Sequence, residues 1–245
     1  MNVLHGGAAV IRDGEFTETE GARKFRVTVS RAMGARDITQ SVNLYSEGFA
    51  PARRRAVGEE ALYVISGEGN CYLDGFRYKL APGTGVYVPP ASVCQIESRS
   101  ELLVVSVCCP DDLSEVCAGA ITREPEDTKP LRAVRESEQE SIPTGDRTFK
   151  LMVNKEVGAS RITQFIGVIP PGRAPLHHHT YEEAIYIIEG EGRVHTETTS
   201  APIGAGASIY LPRGVSHSLE NTGRTNIRLL GVFHPSGSPA ARYDD

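Results

Sequence analysis

The sequence predicts an all-β protein built as two tandem barrels, and three observations carry that prediction. Apolar residues come in short alternating runs broken by glycine and proline turns, the pattern of many closely spaced strands. The whole series recurs about 124 residues further on, so one unit has been duplicated. A chain of 245 residues also has room for two units of about 110 to 120 residues, each able to bury its own core.

Taken in order, residues 1–24 are polar and glycine-rich, with Val10, Ile11 and Phe16 as their only apolar anchors; they are expected to form a lead-in covering a barrel edge. The first barrel is expected over 25–110, with runs at Phe25–Ser30, Ile38–Tyr45, Ala61–Ile65, Cys71–Leu73, Val86–Val88 and Leu102–Val107. Residues 111–145 are charged and proline-punctuated, which predicts a solvated linker with one short helical turn near Leu113 to Cys117. The second barrel follows over 146–235. Residues 236–245 form a Pro/Gly/Ser-rich tail in which Tyr243 is the one candidate anchor. The duplication is explicit in three places. Gly34-Ala35 and Ile38-Thr39-Gln40 match Gly158-Ala159 and Ile162-Thr163-Gln164; Glu59 to Gly69 matches Glu182 to Gly192; Gly83 to Pro89 matches Gly206 to Pro212.

Lys plus Arg number 26 against 31 Asp plus Glu, a formal charge of -5 without a sustained basic block, so nucleic acid and anionic membranes are not expected partners. No apolar run approaches the roughly 18 to 20 residues needed to cross a bilayer, and the N-terminus lacks a basic region followed by an apolar core. A cytoplasmic location is the expectation. Cys71, Cys94, Cys108, Cys109 and Cys117 are odd in number, all lie in the first half and contain no Cys-x-x-Cys pair; they read as reduced, mostly buried small hydrophobes.

Chemistry concentrates between His177 and Asn221. His177 and His179 alternate and so share one face of an extended chain, while Glu183 opens the apolar run Ala184 to Ile188. A second segment, Gly206 to Asn221, places His217 after a Pro212/Gly214 turn. These segments resemble the two motifs of the cupin superfamily, His-x-His-x3-Glu-x6-Gly and Gly-x5-Pro-x-Gly-x2-His-x3-Asn; the second matches at every defined position, and the first is led by Gly172, one residue closer to His177 than the motif has it. The resemblance implies a jelly-roll barrel whose interior holds a metal through His177, His179, Glu183 and His217. Neutral imidazoles with one carboxylate suit Fe, Mn, Ni, Zn or Cu, so one divalent transition metal per chain is expected.

The first barrel serves as an internal control. Arg53-Arg54-Arg55 stands where His177-His178-His179 stands in the second, Glu60 is kept, and Cys94 takes the place of His217. A guanidinium has no lone pair to give a metal, so this barrel is expected to be metal-free, with Arg53 or Arg55 pairing Glu60 instead.

Around the second site, Gln164, Tyr181, Arg193 and His195 are the candidate substrate contacts and Glu183 the candidate acid/base; Arg193 and His195 share a face that is either the interior or a solvated rim. Three functions follow. The first is oxidoreductase chemistry of dioxygenase type on a chelating enol, diketone or flavonol-like small molecule, which resemblance to quercetinase-like cupins implies. The second is redox-neutral isomerisation or hydrolysis with the metal as Lewis acid, as in two-barrel ureidoglycine aminohydrolases. The third is non-catalytic binding. Symmetric pairing into a homodimer or larger homo-oligomer is expected from exposed strand edges.

Overall fold

The computed structural model describes residues 1–110, 116–119 and 128–240. Its regular structure is almost entirely strand, arranged as two jelly-roll barrels, each a long sheet facing a shorter one. In the first barrel the long sheet runs Ala133–Arg135, Thr84–Val88, Glu59–Ser66, Leu102–Cys109, Thr39–Tyr45, Arg23–Val29, Glu18–Glu20. Its partner centres on Gly69–Leu73 and Val93–Ser98. In the second barrel the long sheet runs Asn2–Val3, Ala9–Ile11, Ser208–Leu211, Glu182–Glu189, Ile227–His234, Thr163–Ile169, Arg147–Val153, Ile142–Thr144. It faces Gly172–Arg173, His217–Asn221, Glu191–Thr196 and Ser200–Gly204.

The burial patterns explain why the strands stack this way. Glu59–Ser66 and Glu182–Glu189 are buried at six consecutive positions, as a strand must be when both faces are covered. Val93–Ser98 and Glu191–Thr196 alternate instead, with one face in a core and one toward water. The long sheets therefore lie back to back between the barrels. Val42, Tyr63 and Val105 from one sheet meet Met152, Ile166, Tyr186 and Leu230 from the other in one apolar cluster. The turn glycines Gly67 and Gly190 have φ of 86° and 89°. A Cβ on either would strike the opposing backbone, at 2.2 Å from the Glu101 carbonyl oxygen and 2.9 Å from the Ile227 Cα, so both repeats require glycine there.

Two carboxylates lock the barrels together. Glu182 accepts from the backbone N–H of Arg36 at 3.0 Å and Asp37 at 2.6 Å and from the Tyr210 hydroxyl at 2.9 Å. Its repeat counterpart Glu59 accepts from Ser160 N at 3.1 Å, Ser160 Oγ at 2.6 Å and Arg161 N at 2.9 Å. Each barrel thus grips the turn that follows the 3-10 helix of the other. Consecutive residues of a strand point to opposite faces; Glu182 and Glu59 serve the interface while Glu183 and Glu60 enter the barrels.

The ends of the chain depart from the sequence expectations. The lead-in does cover a barrel edge, but that of the second barrel: Ala9–Ile11 pairs with Ser208–Leu211. Residues 111–145 are not all linker, because Ala133–Arg135 pairs with Thr84–Val88 and Ile142–Thr144 with Arg147–Val153. Ladder hydrogen bonds are available to any backbone, and the charged composition hid these strands. Of the expected helical turn, Leu113 to Glu115 lies outside the described residues, and Val116–Cys117 is a strand paired with Arg53–Arg54. Tyr243 also lies outside the described residues. All five cysteines are free thiols, four buried and Cys117 exposed.

Candidate metal centre

His177 and His217 form a bridge rather than neighbouring regular strands. Each backbone N–H donates to the other residue's carbonyl, at 3.0 and 2.8 Å, and the Gly214 N–H ties down the His179 carbonyl at 2.8 Å. The Pro212/Gly214 turn of the second motif thereby holds the histidine segment of the first. The rings gather with centroids 4.7 Å apart for His177 and His217, 4.8 Å for His177 and His179 and 5.2 Å for His179 and His217. One nitrogen from each lies within 4.8 Å of the others.

The donor chemistry of this cluster fits a metal. Nδ1 of His177 faces the Pro175 carbonyl at 3.2 Å and Nδ1 of His217 faces the Val215 carbonyl at 2.9 Å. A carbonyl only accepts, so each Nδ1 carries a ring proton, which leaves Nε2 as the atom that can offer a lone pair to a metal. Burial, reinforced by His177, lowers the pKa of His217 to about 4, which keeps it neutral at ordinary pH. Tyr181 stacks on His179 with centroids 4.5 Å apart and 12° between planes, and on Phe233 at 4.0 Å. It fixes the His179 ring from behind.

Glu183 lines the same pocket without belonging to the three-histidine cluster. A Cβ on Gly231 would come within 3.0 Å of its Oε1 and 2.3 Å of the Phe165 ring, so the carboxylate lies over bare backbone beside an aromatic wall. Burial alone pushes its pKa up to about 8. The first barrel shows the contrast. Arg53 grips Glu60 with two bonds, Nη1 to Oε2 at 2.6 Å and Nη2 to Oε1 at 3.0 Å, Ser106 adds a third, and Glu60 sits at about 2: burial would raise it, and Arg53, Arg55 and Ser106 together outweigh that. The expected pairing of Glu60 with an arginine is thus present in the geometry.

Three of the expected substrate contacts lie elsewhere. Val194 alternates into the core, which turns Arg193 and His195 outward; Arg193 donates to Ser200 Oγ at 2.8 Å and His195 Nε2 meets Glu220 at 2.7 Å. Gln164 is fully buried on the back of its sheet, where a Cβ on Gly85 of the first barrel would be 3.0 Å from its Oε1. Its amide oxygen and nitrogen have no hydrogen-bond partner among the described residues. The repeat explains the orphan. Gln40, its counterpart, donates to Ser208 Oγ at 2.9 Å, whereas the residue matching Ser208 is Gly85. His234 is an edge residue, its Nδ1 at 2.9 Å from the Arg161 carbonyl.

The pocket around the histidines encloses about 610 Å³ including its open mouth. Phe149, Phe165, Ile169, Ile185 and Leu229 make its walls apolar, while Arg147, Thr144 and Pro239 of the tail stand in its lining. Arg147, Phe149 and Phe165 were missed from sequence. No pattern in Thr163–Ile169 marks Phe165, since six of its seven positions are buried; the fold faces Phe165, Gly167 and Ile169 into the pocket.

Comparison with known proteins agrees with this geometry. A cupin-domain family model matches residues 165–233. The oxalate-binding protein of Thermotoga maritima is 44% identical over 92 residues, 36% of this chain and 76% of that protein. Protein SchB of Streptomyces halstedii is 33% identical over 86 residues, 34% of this chain and 61% of that protein. Auxin-binding protein 1 of Arabidopsis thaliana is 24% identical over 98 residues, 36% of this chain and 50% of that protein. The fold of Bacillus subtilis oxalate decarboxylase superposes with a TM-score of 0.78 at 15% identity, covering 94% of this chain and 78% of that one; another structure of that enzyme concerns its Mn(II) centres.

Proposed function

The chain belongs to the cupin superfamily as a two-barrel member, and from that premise we propose that its second barrel is a metal-dependent site for a small chelating organic anion, with oxidoreductase chemistry of dioxygenase type. The observation that carries this reading is the cluster of three imidazoles with ligand nitrogens within 4.8 Å, set in an apolar pocket that also holds Glu183. His177, His179 and His217 would hold one divalent transition ion, Fe, Mn, Ni, Zn or Cu, with Glu183 beside them. When bound, the ion would supply Lewis acidity and, if it is redox-active as Fe, Mn or Cu is, one-electron chemistry. The apolar walls exclude water from the reacting oxygens, Tyr181 keeps the His179 ring in place, and Glu183, ionised once a cation beside it offsets its burial, would accept the proton that an enol gives up on binding. Among the described residues no helix is long and apolar enough to cross a membrane, and the partner in this reading is a small molecule.

A second reading, binding without turnover, is favoured by the 44% identity to an oxalate-binding protein. Elemental analysis and oxygen uptake separate the two. The purified chain should hold one ion, His177→Ala should lose it, and the loaded chain should consume oxygen with one member of a panel of enols and diketones. Glu183→Gln should reduce that uptake more than it reduces metal content. Two ions per chain would overturn the site assignment. Tight calorimetric binding of oxalate with no uptake from any panel member would replace the first reading by the second.

A further inference from the structure

The second barrel replaces a polar interior wall by an apolar one at three positions that the repeat identifies. Gln40 matches Gln164, so Ser41 and Asn43 of the first barrel match Phe165 and Gly167. The strands Leu102–Cys109 and Ile227–His234 end on equivalent pairs, Cys109 with Glu59 and His234 with Glu182, which sets Ser106 against Gly231. Ser41, Asn43 and Ser106 are all buried. Asn43 Nδ2 donates to Ser41 Oγ at 3.1 Å and to the Val104 carbonyl at 3.3 Å, and the Ser106 hydroxyl donates to Glu60. The first barrel therefore fills this side of its interior with polar groups that bond to one another.

In the second barrel the same three positions hold one aromatic ring and two stretches of bare backbone. A Cβ on Gly231 would stand 2.3 Å from Phe165 Cζ, and one on Gly167 would stand 3.1 Å from Leu229 Cδ1 and 3.5 Å from Phe165 Cε2. Both glycines lie inside strands and neither has a positive φ, so it is room, not backbone conformation, that calls for glycine here. Phe165 and Leu229 settle back against the chain and leave space in front of them. Phe149 meets Phe165 edge-on, with centroids 6.5 Å apart and 85° between planes. Phe149, Phe165 and Leu229 line the pocket that holds the three histidines. The Cβ that would strike Phe165 would also stand 3.0 Å from Glu183 Oε1, so this apolar wall begins directly beside the carboxylate.

We propose that this wall sets the substrate class: a 2-oxo acid or its enol that carries an apolar ring next to the head group, with the head at the histidines and the ring against Phe165, Phe149 and Leu229. The proposal rests on the metal reading above for the head group and adds the ring. A ring in that place removes the apolar wall from water and gains edge and offset contacts with two phenyl groups. Oxalate and pyruvate end at the head and leave the wall uncovered. Phe165 is the specificity-determining residue, and Gly167 and Gly231 keep the place open by letting the wall stand back.

The test uses the full-length chain loaded with Mn(II), with binding measured by calorimetry and referred to the metal content of each sample. Pyruvate and benzoylformate share the 2-oxo acid head and differ in a methyl against a phenyl group. Benzoylformate has no enolisable hydrogen, so its binding is read without loss of a proton from carbon. The wild-type chain should bind benzoylformate roughly ten- to a hundredfold more tightly than pyruvate. Phe165→Ser, which installs the side chain of the first repeat, should bring that ratio close to one, and Phe165→Leu, which stays apolar, should keep part of it. Gly167→Ala, whose added methyl pushes Leu229 into the ligand space, should lower the ratio severalfold, and it decides the matter if Phe165→Ser shows no cooperative melting transition. Equal affinities in the wild type, no binding of benzoylformate, or a ratio unchanged in the deciding variant overturns the proposal. If the wild type takes up no Mn(II), the metal reading fails by itself; the same titrations on the metal-free chain then decide the wall, which stands if a benzoylformate preference depends on Phe165 and falls otherwise.

Discussion

Removing the Glu182 carboxylate should separate the clasp between the barrels from the chemistry inside them. Glu182 accepts three hydrogen bonds, from Arg36 N, Asp37 N and Tyr210 Oη, at 3.0, 2.6 and 2.9 Å, and it is 1% exposed. A hydrogen bond to a charged group contributes about 1.5 to 3 kcal/mol net, and a donor left dry costs about 1 to 3 kcal/mol. Three bonds at the low end give roughly 4.5 kcal/mol for Glu182→Ala. Glu59→Ala should cost about the same, because its three contacts repeat the arrangement. The assay is the urea midpoint followed by tyrosine fluorescence, with Glu197→Ala as a control at a side chain 58% exposed; the control should move stability by no more than about 0.5 kcal/mol. Metal content of folded Glu182→Ala should be unchanged, since Glu182 does not line the pocket. A loss below about 1 kcal/mol in both clasp variants would refute the view that these carboxylates hold the barrels together.

Glu60 makes stability acid-sensitive. Its pKa is depressed from 4.5 to about 2, so its contribution, on the order of 3 kcal/mol, is fully present above pH 4.5 and is lost as pH falls toward 2; Arg53→Leu, which buries that carboxylate without its partner, should unfold in less urea at pH 7 and narrow its gap to wild type at pH 3. Gln164→Met should raise stability by about 1 kcal/mol by removing an amide with no hydrogen-bond partner among the described residues, read as a higher melting temperature; an unchanged or lower one would mean that the amide is satisfied by water. Met1 and Val3, beside and in the edge strand Asn2–Val3, are 67% and 65% exposed. We expect this edge, which no other described strand covers, to pair two copies, with light scattering giving the mass of a dimer, and a monomer at micromolar concentration would count against it.

What sequence alone made legible followed from periodicity and from the repeat. His177, His179 and His217 stand on spacings that a strand converts directly into shared faces. Arginines in place of His177 and His179 marked Arg53 and Arg55 as candidates to pair Glu60, and Arg53 makes the pair. Sidedness was harder. Gln164, Arg193 and His195 look as plausible as Phe165 in a linear string, because which face of a strand is interior depends on what packs behind the sheet. The alternation around Val194 could have settled Arg193 and His195, but the strand of Gln164 is apolar on both faces and carries no such mark. The Ala133–Arg135 and Ile142–Thr144 strands were hidden for a different reason: edge strands draw their stability from backbone pairing, to which side-chain polarity is a weak guide.

The two repeats also show how a buried arginine is kept or redirected by changes away from it. Arg23 and Arg147 begin equivalent strands, and neither changes type. In the first barrel Asn43 and Glu20 complete the guanidinium's bonds, and Tyr45, Ile96 and Leu102 fill the interior behind it. In the second, Gly167 withdraws the amide, Thr144 withdraws the carboxylate, and Ile169 replaces the ring of Tyr45. All three changed positions line the pocket that holds the histidines. If Gly167→Asn and Thr144→Glu are made together, the second barrel should fill with the side chains of the first, and the Mn(II)-loaded chain should bind small organic acids less tightly at unchanged metal content. Unchanged affinity in this double variant would show that these two positions do not shape the ligand space.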